Sequence, residues 1–220
     1  MAIGAFLLGL ICFTGCTHTD VYEQKTRFHK DGRAKPLVTL VPVFDRSEAA
    51  VGWSLSEEFT DHMRQRLLKT QRFYLNTPEE LNAMIASLTP AHDPFAEQPD
   101  WIGTTFAGQE FVVFADIVDH FVEPKSESQH FLDKLGPSHE LTLTIRIRVF
   151  DVRKKRPQII LQELVSRQYS MPELKHLEEK GNQYWQKATF TLSPLGLAHM
   201  QMAKEISKRI EEYILLAQSR

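Results

Sequence analysis

Residues 141–150 read Leu-Thr-Leu-Thr-Ile-Arg-Ile-Arg-Val-Phe. Leu141, Leu143, Ile145, Ile147 and Val149 alternate with Thr142, Thr144, Arg146, Arg148 and Phe150. Successive side chains of a strand point to opposite faces, so this pattern predicts an antiparallel strand with one apolar face and one wet face. An apolar strand face must be covered, which makes the amphipathic segments on either side its natural lids. Downstream, Arg153-Lys154-Lys155-Arg156-Pro157 makes a turn, and Gln158 to Ser170 returns as the partner strand. Upstream, Phe111 to Val118 is almost wholly apolar and reads as a central strand buried on both sides.

The helices are legible from period and caps. Leu55, Phe59, Met63 and Leu67 recur every four residues after Ser54-x-x-Glu57, a capping-box spacing, with Glu57, Glu58, Asp61, Arg64 and Lys69 assigned to other faces. Thr77-Pro78-Glu79-Glu80 opens a second helix through Leu81, Met84, Ile85 and Leu88. Ser193-Pro194 opens a last one, with a stripe of Leu195, Ala198, Met202, Ile206, Ile210, Tyr213 and Ile214. Leu37 to Phe44 is a first strand, bent at Pro42 or lying near an edge, and Phe73 to Leu75 a brief one. Residues 89–100 hold three prolines and read as a loop, residues 123–138 as a polar insertion, and 171–192 as irregular with a short helix around Leu174 and Leu177. The expected fold is α+β, an α/β sandwich: a mixed sheet in the order β-α-β-α-β-β-β-α, helices packed on one face, within residues 36–220.

Composition narrows the function. The chain has 220 residues, is 42% hydrophobic and 25% charged, and carries a net charge of −2 from 26 Lys+Arg against 28 Asp+Glu. That is a globular composition without the positive excess that drives nucleic-acid binding. Cys12 and Cys16 are the two cysteines, so residues 17–220 hold no disulfide, Cys zinc site or Cys nucleophile.

The first residues are an address. Residues 1–15 carry no charged side chain, and the apolar run Ala5 to Phe13 is shorter than the roughly 20 residues a spanning helix needs. It fits a signal-peptide core. Phe13-Thr14-Gly15-Cys16 resembles a bacterial lipobox, although Phe13 stands where Leu is usual and the n-region lacks Lys or Arg. The resemblance implies a signal peptide over 1–15 and a lipidated Cys16; the competing reading is a simple secretory signal with an incidental cysteine. Thr17 rather than Asp after the cysteine implies, by resemblance to enterobacterial lipoproteins, sorting to the outer membrane. Residues 17–35 are polar and without period, a tether that reaches about 60 Å at most.

The element order behind an N-terminal lipobox resembles a group of periplasmic lipoproteins. These include the penicillin-binding-protein activator and the curli secretion-channel lipoprotein, with the N-terminal domain of the Tol translocation protein sharing the fold. The segments that carry this resemblance are LVTLVPVFDRS, QRFYL, LNAMIASL and GQEFVVFADIV, with the long final helix. It implies protein binding or assembly and supplies no catalytic residues. The tether is shorter and less Pro-rich than the activator's. The alternative is a subunit of an oligomeric outer-membrane secretion channel, which needs membrane-inserted hairpins.

Candidate chemistry is sparse. Asp116, Asp119 and His120 sit at the end of the central strand; by parity Asp116 and His120 share a face and Asp119 opposes them, which spoils a compact metal site. His92-Asp93 and His139-Glu140 lack ligand spacing, and no H-E-x-x-H, G-x-S-x-G or Gly-rich phosphate loop occurs. No enzyme, metal or cofactor is expected. Arg153 to Arg156 reads as a solvated hairpin tip, with an anionic lipid, peptidoglycan carboxylates or an acidic partner as its other possible contacts. Trp53, Trp101 and Trp185 lie in or near loops, either anchoring them or exposed for a partner. The candidate binding patch is Arg146, Arg148 and Phe150 on the strand's wet face, the cationic and aromatic mixture that interfaces enrich. The expected function is a non-enzymatic, lipid-anchored envelope protein whose periplasmic domain, able to oligomerise, binds a protein partner.

Overall fold

A computed structural model describes residues 26–89, 92–97, 99–124, 139–172 and 181–219. Cys16, the signal segment, the first part of the tether, Leu174 and Leu177 lie outside the described residues. Residues 26–35, read as tether, form a turn in which Phe28 and Ala34 bridge, Lys35 N–H donates to Arg27 O, and Arg27 stacks over Tyr74. Ordered chain therefore begins before the expected boundary at residue 36.

The elements are β1 (Leu37–Leu40), β2 (Phe44–Asp45), α1 (Leu55–Lys69), β3 (Tyr74–Leu75), α2 (Pro78–Ile85), α3 (Trp101–Thr105), β4 (Phe111–Pro124), β5 (His139–Asp151), β6 (Gln158–Met171), α4 (Ala188–Thr191) and α5 (Pro194–Gln218). They form an open mixed sheet ordered β3-β1-β4-β5-β6, with β2 also on β4. β1 pairs in parallel with β3 and β4, whereas β4, β5 and β6 form an antiparallel meander. The single strand expected over 37–44 is two: the run breaks at residues 41–43 around Pro42 and resumes as β2, and β1 lies between β3 and β4, away from the edge.

Local signals act where the sequence placed them. The Ser54 hydroxyl accepts from Glu57 N–H at 3.1 Å, and Thr77 with Glu80 makes a complete capping box. Ser193 caps α5 by accepting from Gly196 N–H. A Cβ at residue 196 would stand 2.2 Å from the Phe190 carbonyl oxygen, so glycine is what lets α5 start against α4.

The two long helices, α1 and α5, cover one face of the sheet. Leu55, Phe59, Met63 and Leu67 of α1 meet Met202, Ile206, Ile210 and Ile214 of α5 over Leu141, Leu143, Ile145, Ile147 and Val149 of β5, all fully buried. Tyr213 departs from the expected stripe and is exposed. Truncating Ile145 or Ile206 to Ala should each cost about 2–5 kcal/mol by opening a cavity. Chemical denaturation would measure it, and a cost near zero at both would refute the packing.

The opposite face carries a second core. Val112, Phe114 and Phe150 from the sheet and Val41 just after β1 pack with Ile102 and Phe106, flanked by Met84, Ile85, Leu88, Phe95 and Trp101. The end of α2, the Pro-rich segment and α3 therefore close one half of this face. β4 is buried on both sides from Phe111 to Ile117, as its unbroken apolar run requires.

Candidate partner-binding face

Arg146, Arg148 and Phe150 share one side of β5, as alternation requires, and that side is only half open. Phe150 is 1% exposed and meets Phe114 edge-to-face at 5.9 Å. Arg148 is 6% exposed, and its Nη1 donates to the Pro94 and Ala96 carbonyls at 2.9 and 2.7 Å. The expectation of a wet face is corrected here. The segment around Phe95 lies across the sheet, and two guanidiniums on neighbouring positions of one strand face hold it. Arg146 stacks on the Phe95 ring at 4.1 Å and donates to the Asp116 carboxylate opposite it at 2.6 Å.

This clasp continues outward. Arg46 Nε lies 3.5 Å from Asp116 and its Nη2 donates to Asp93 at 3.3 Å. Asp93 also accepts from Phe95 N–H, which sets the local turn. Burial pushes the Asp93 carboxyl up, but that N–H, Arg46 and Arg146 hold it below its ordinary value. Burial, then the neighbouring Arg146 charge, push Arg148 below the usual guanidinium value.

Past this clasp the face opens, and a β-bulge governs what it shows. Ile117 pairs with Ile145 but Asp119 pairs with Thr144, leaving Val118 as an extra residue. Parity flips there. Asp119 and Phe121 join Asp116 on the open face, while His120 turns under the helices beside Leu143. The expected sharing of a face by Asp116 and His120 is therefore wrong, because unbroken alternation does not hold across a bulge. The open half carries Asp119, Phe121, Thr142, Leu164 and Gln168, with Thr144 and Ser166 hydroxyls joined at 2.9 Å. Phe121 is 43% and Leu164 63% exposed.

Beneath the helices, His120 enters a polar chain that the sequence did not announce. Its Nε2 lies 2.9 Å from His199 Nε2, and His199 Nδ1 lies 2.8 Å from a Glu58 carboxylate oxygen. Trp53 Nε1–H donates to the other Glu58 oxygen at 2.7 Å, and His62 stands 3.6 Å from the first. Glu58 and His199 are completely buried. Burial pushes the Glu58 carboxyl up, but the His199 charge and the hydrogen bonds it accepts outweigh this and hold its pKa at about 2. Burial, then His199, push His120 down to about 3. Glu58, expected on an outer face of α1, lies three residues from Leu55 and next to Phe59, within the buried stripe.

The remaining sequence candidates are dispersed. His92 Nδ1 accepts from Thr89 N–H and its ring meets Trp101. His139 and Glu140 start β5, half-buried. Arg153 pairs with Asp151, stacks over Phe111 and donates to Ala217 O, so the basic turn is partly tied to the body. Trp53 packs against Tyr184 and Phe190, Trp185 against His62, and Trp101, at the start of α3, against Phe106 and Phe114, so all three rings pack onto the body. Among the described residues, no three His, Cys, Asp or Glu side chains converge to hold a metal, and no helix is long and apolar enough to cross a membrane.

Known proteins resemble this architecture. The structure of the hypothetical protein CT253 from Chlamydia trachomatis is 26% identical, with a TM-score of 0.58 over 82% of this chain and 98% of that one. Lipoprotein GNA1162 from Neisseria meningitidis is 14% identical, with a TM-score of 0.41 over 79% of this chain and 99% of that one. The LpoB C-terminal domain from Salmonella enterica is 12% identical, with a TM-score of 0.38 over 63% of this chain and 86% of that one. No curated protein matches the sequence. Residues 24–218 match one family throughout, and the chain belongs to that family, DUF7499, a family of unknown function.

Proposed function

We propose that the chain is a non-enzymatic envelope lipoprotein, anchored through Cys16 in the outer membrane and facing the periplasm, whose domain binds a protein partner. The anchor rests on the uncharged apolar run ending in Thr14-Gly15-Cys16. The observation that carries the binding role is the open half of the sheet, where Phe121 stands 43% exposed on an otherwise mostly polar surface beside Asp119 and Thr142. A large aromatic ringed by polar groups is the composition of an interface anchor. The non-enzymatic reading is supported by the sealing of the Glu58–His199 pair in the core, where no substrate reaches it.

Two variants test this. Cys16→Ala should abolish incorporation of labelled fatty acid and release the chain from the outer-membrane fraction. Phe121→Glu should remove a cross-linked partner band from native-envelope pull-downs while thermal unfolding stays within a few degrees of wild type, because the ring is not part of either core. Retention of the same band by Phe121→Glu would reject this face.

A further inference from the structure

β6 is the long outer strand of the sheet, and its Ser166 carbonyl accepts from Arg167 Nη1. Among the described residues it pairs with β5 alone, over Gln158–Met171, so its outer row of N–H and C=O groups meets no strand. Exposed edges are ordinarily blunted by lysines, prolines or charges on the exposed side chains. From Gln162 to Ser170 the side facing away from the helices carries Gln162, Leu164, Ser166, Gln168 and Ser170, with no charge and no proline. Leu164, at 63% exposure, stands near the middle of it.

The strand is also complementary to itself. In an antiparallel pairing centred on Val165, Glu163 of each copy falls opposite Arg167 of the other, Leu164 opposite Ser166, and Leu161 opposite Tyr169. Every cross-strand pair keeps its own face, because the strand period is two. Glu163 and Arg167 are already fixed in place by α5, the first paired with Arg209 and the second with Glu205, which itself pairs with Arg209. Antiparallel pairing would join these two clusters across the seam with alternating sign. A register shifted by one residue, with the axis between two residues, would instead set helix-facing side chains against open-face ones, which a sheet excludes. An axis through Leu164 or Ser166 keeps the faces but sets Val165 opposite Glu163 or Arg167 in place of the opposite charges.

We infer that β6 is a homodimerisation edge: two copies of this chain join β6 to β6 antiparallel about Val165, making one continuous sheet. At the seam Leu164 and Ser166 lie outside both cores, whereas Leu161 and Val165 belong to the helix-covered one, and the two open faces then form one uninterrupted surface.

The test is a pair of double variants at the exposed positions. In sedimentation equilibrium of the full chain purified in density-matched detergent, wild type should be dimeric. Leu164→Glu with Ser166→Glu sets carboxylate against carboxylate twice across the seam and should raise the dimer dissociation constant by about tenfold or more. Leu164→Lys with Ser166→Glu restores opposite charges and should return the dimer to near wild-type affinity. The two double variants should have thermal midpoints within a few degrees of each other when monomeric, since both lose the same Ser166–Thr144 hydroxyl contact. A wild type that stays monomeric to about 100 µM, weaker than roughly 5 kcal/mol of association, would overturn the inference. So would a di-Glu variant that dimerises as well as wild type, or a Lys/Glu variant that fails to recover.

Discussion

Replacing Glu58 with Ala should lower the unfolding free energy by about 3–5 kcal/mol, because it strips one partner from a buried charged network. The carboxylate takes Trp53 Nε1–H on one oxygen and His199 Nδ1 on the other, and both donors would be left in an apolar interior. Chemical denaturation at pH 7 measures this, and a loss under about 1 kcal/mol would show that the network contributes little. The same chain sets the response to acid. His120 has a pKa of about 3 in the fold against 6.5 ordinarily, so as pH falls below 6.5 the unfolded chain takes a proton that the folded chain refuses. Stability therefore falls with acidification through that window, at up to about 1.4 kcal/mol per pH unit for one proton, or about 2 kcal/mol by pH 5. Glu58, held at about 2 against 4.5, adds loss of the same sign between those values. His120→Gln should flatten the decline between about pH 6.5 and 5; an unchanged slope would assign it to other groups.

Arg148→Glu should unfold the second core or cost at least about 3 kcal/mol, because it replaces a buried cation that meets two carbonyls with an anion that meets the same two oxygens. Arg148→Met keeps the apolar stem and removes only the hydrogen bonds, so its cost should be smaller, about 1–3 kcal/mol. Limited proteolysis locates the damage: the Pro-rich segment around Phe95 should become the first site cut in Arg148→Glu. Resistance equal to wild type at that segment would mean the guanidinium does not hold it. For partner binding the consequence is that a charge reversal at Arg148 reports on folding first, which is why Phe121 is the better probe.

Much of the architecture was legible because period and caps are local properties. Ser54, Thr77 and Ser193 each cap the helix they precede, and the alternation over 141–149 puts all five apolar residues under the helices. The long β4 and β5 exceed the expected 111–118 and 141–149 because their outer ends are polar on a half-open face, where no apolar run marks them. What stayed hidden was non-local. Nothing around Glu58 says that His199, 141 residues away, will neutralise its burial. Nor does Arg148 declare that its open face will be roofed by Pro94 and Ala96; a Pro-rich loop shows that it is a loop but not where it lies. Phe150 was the available hint, since an aromatic at the end of a polar face is more at home under a cover than in water.

The extra residue at Val118 makes chain length itself part of the code. Deleting it would remove the bulge and leave Asp119 opposite Thr144 and His120 opposite Leu143 in an unbroken ladder, so residues 119–124 would keep their faces. Insertions and deletions are usually absorbed in loops, yet here a β-bulge absorbs a single residue inside a strand. A relative that lacks this residue should keep the same order of inward and outward residues on either side of the gap, with a polar residue in the place of Asp119. Alignments of such relatives should accordingly place the gap at position 118 and not in the following loop, since only that placement keeps the inward and outward residues of the two chains in step.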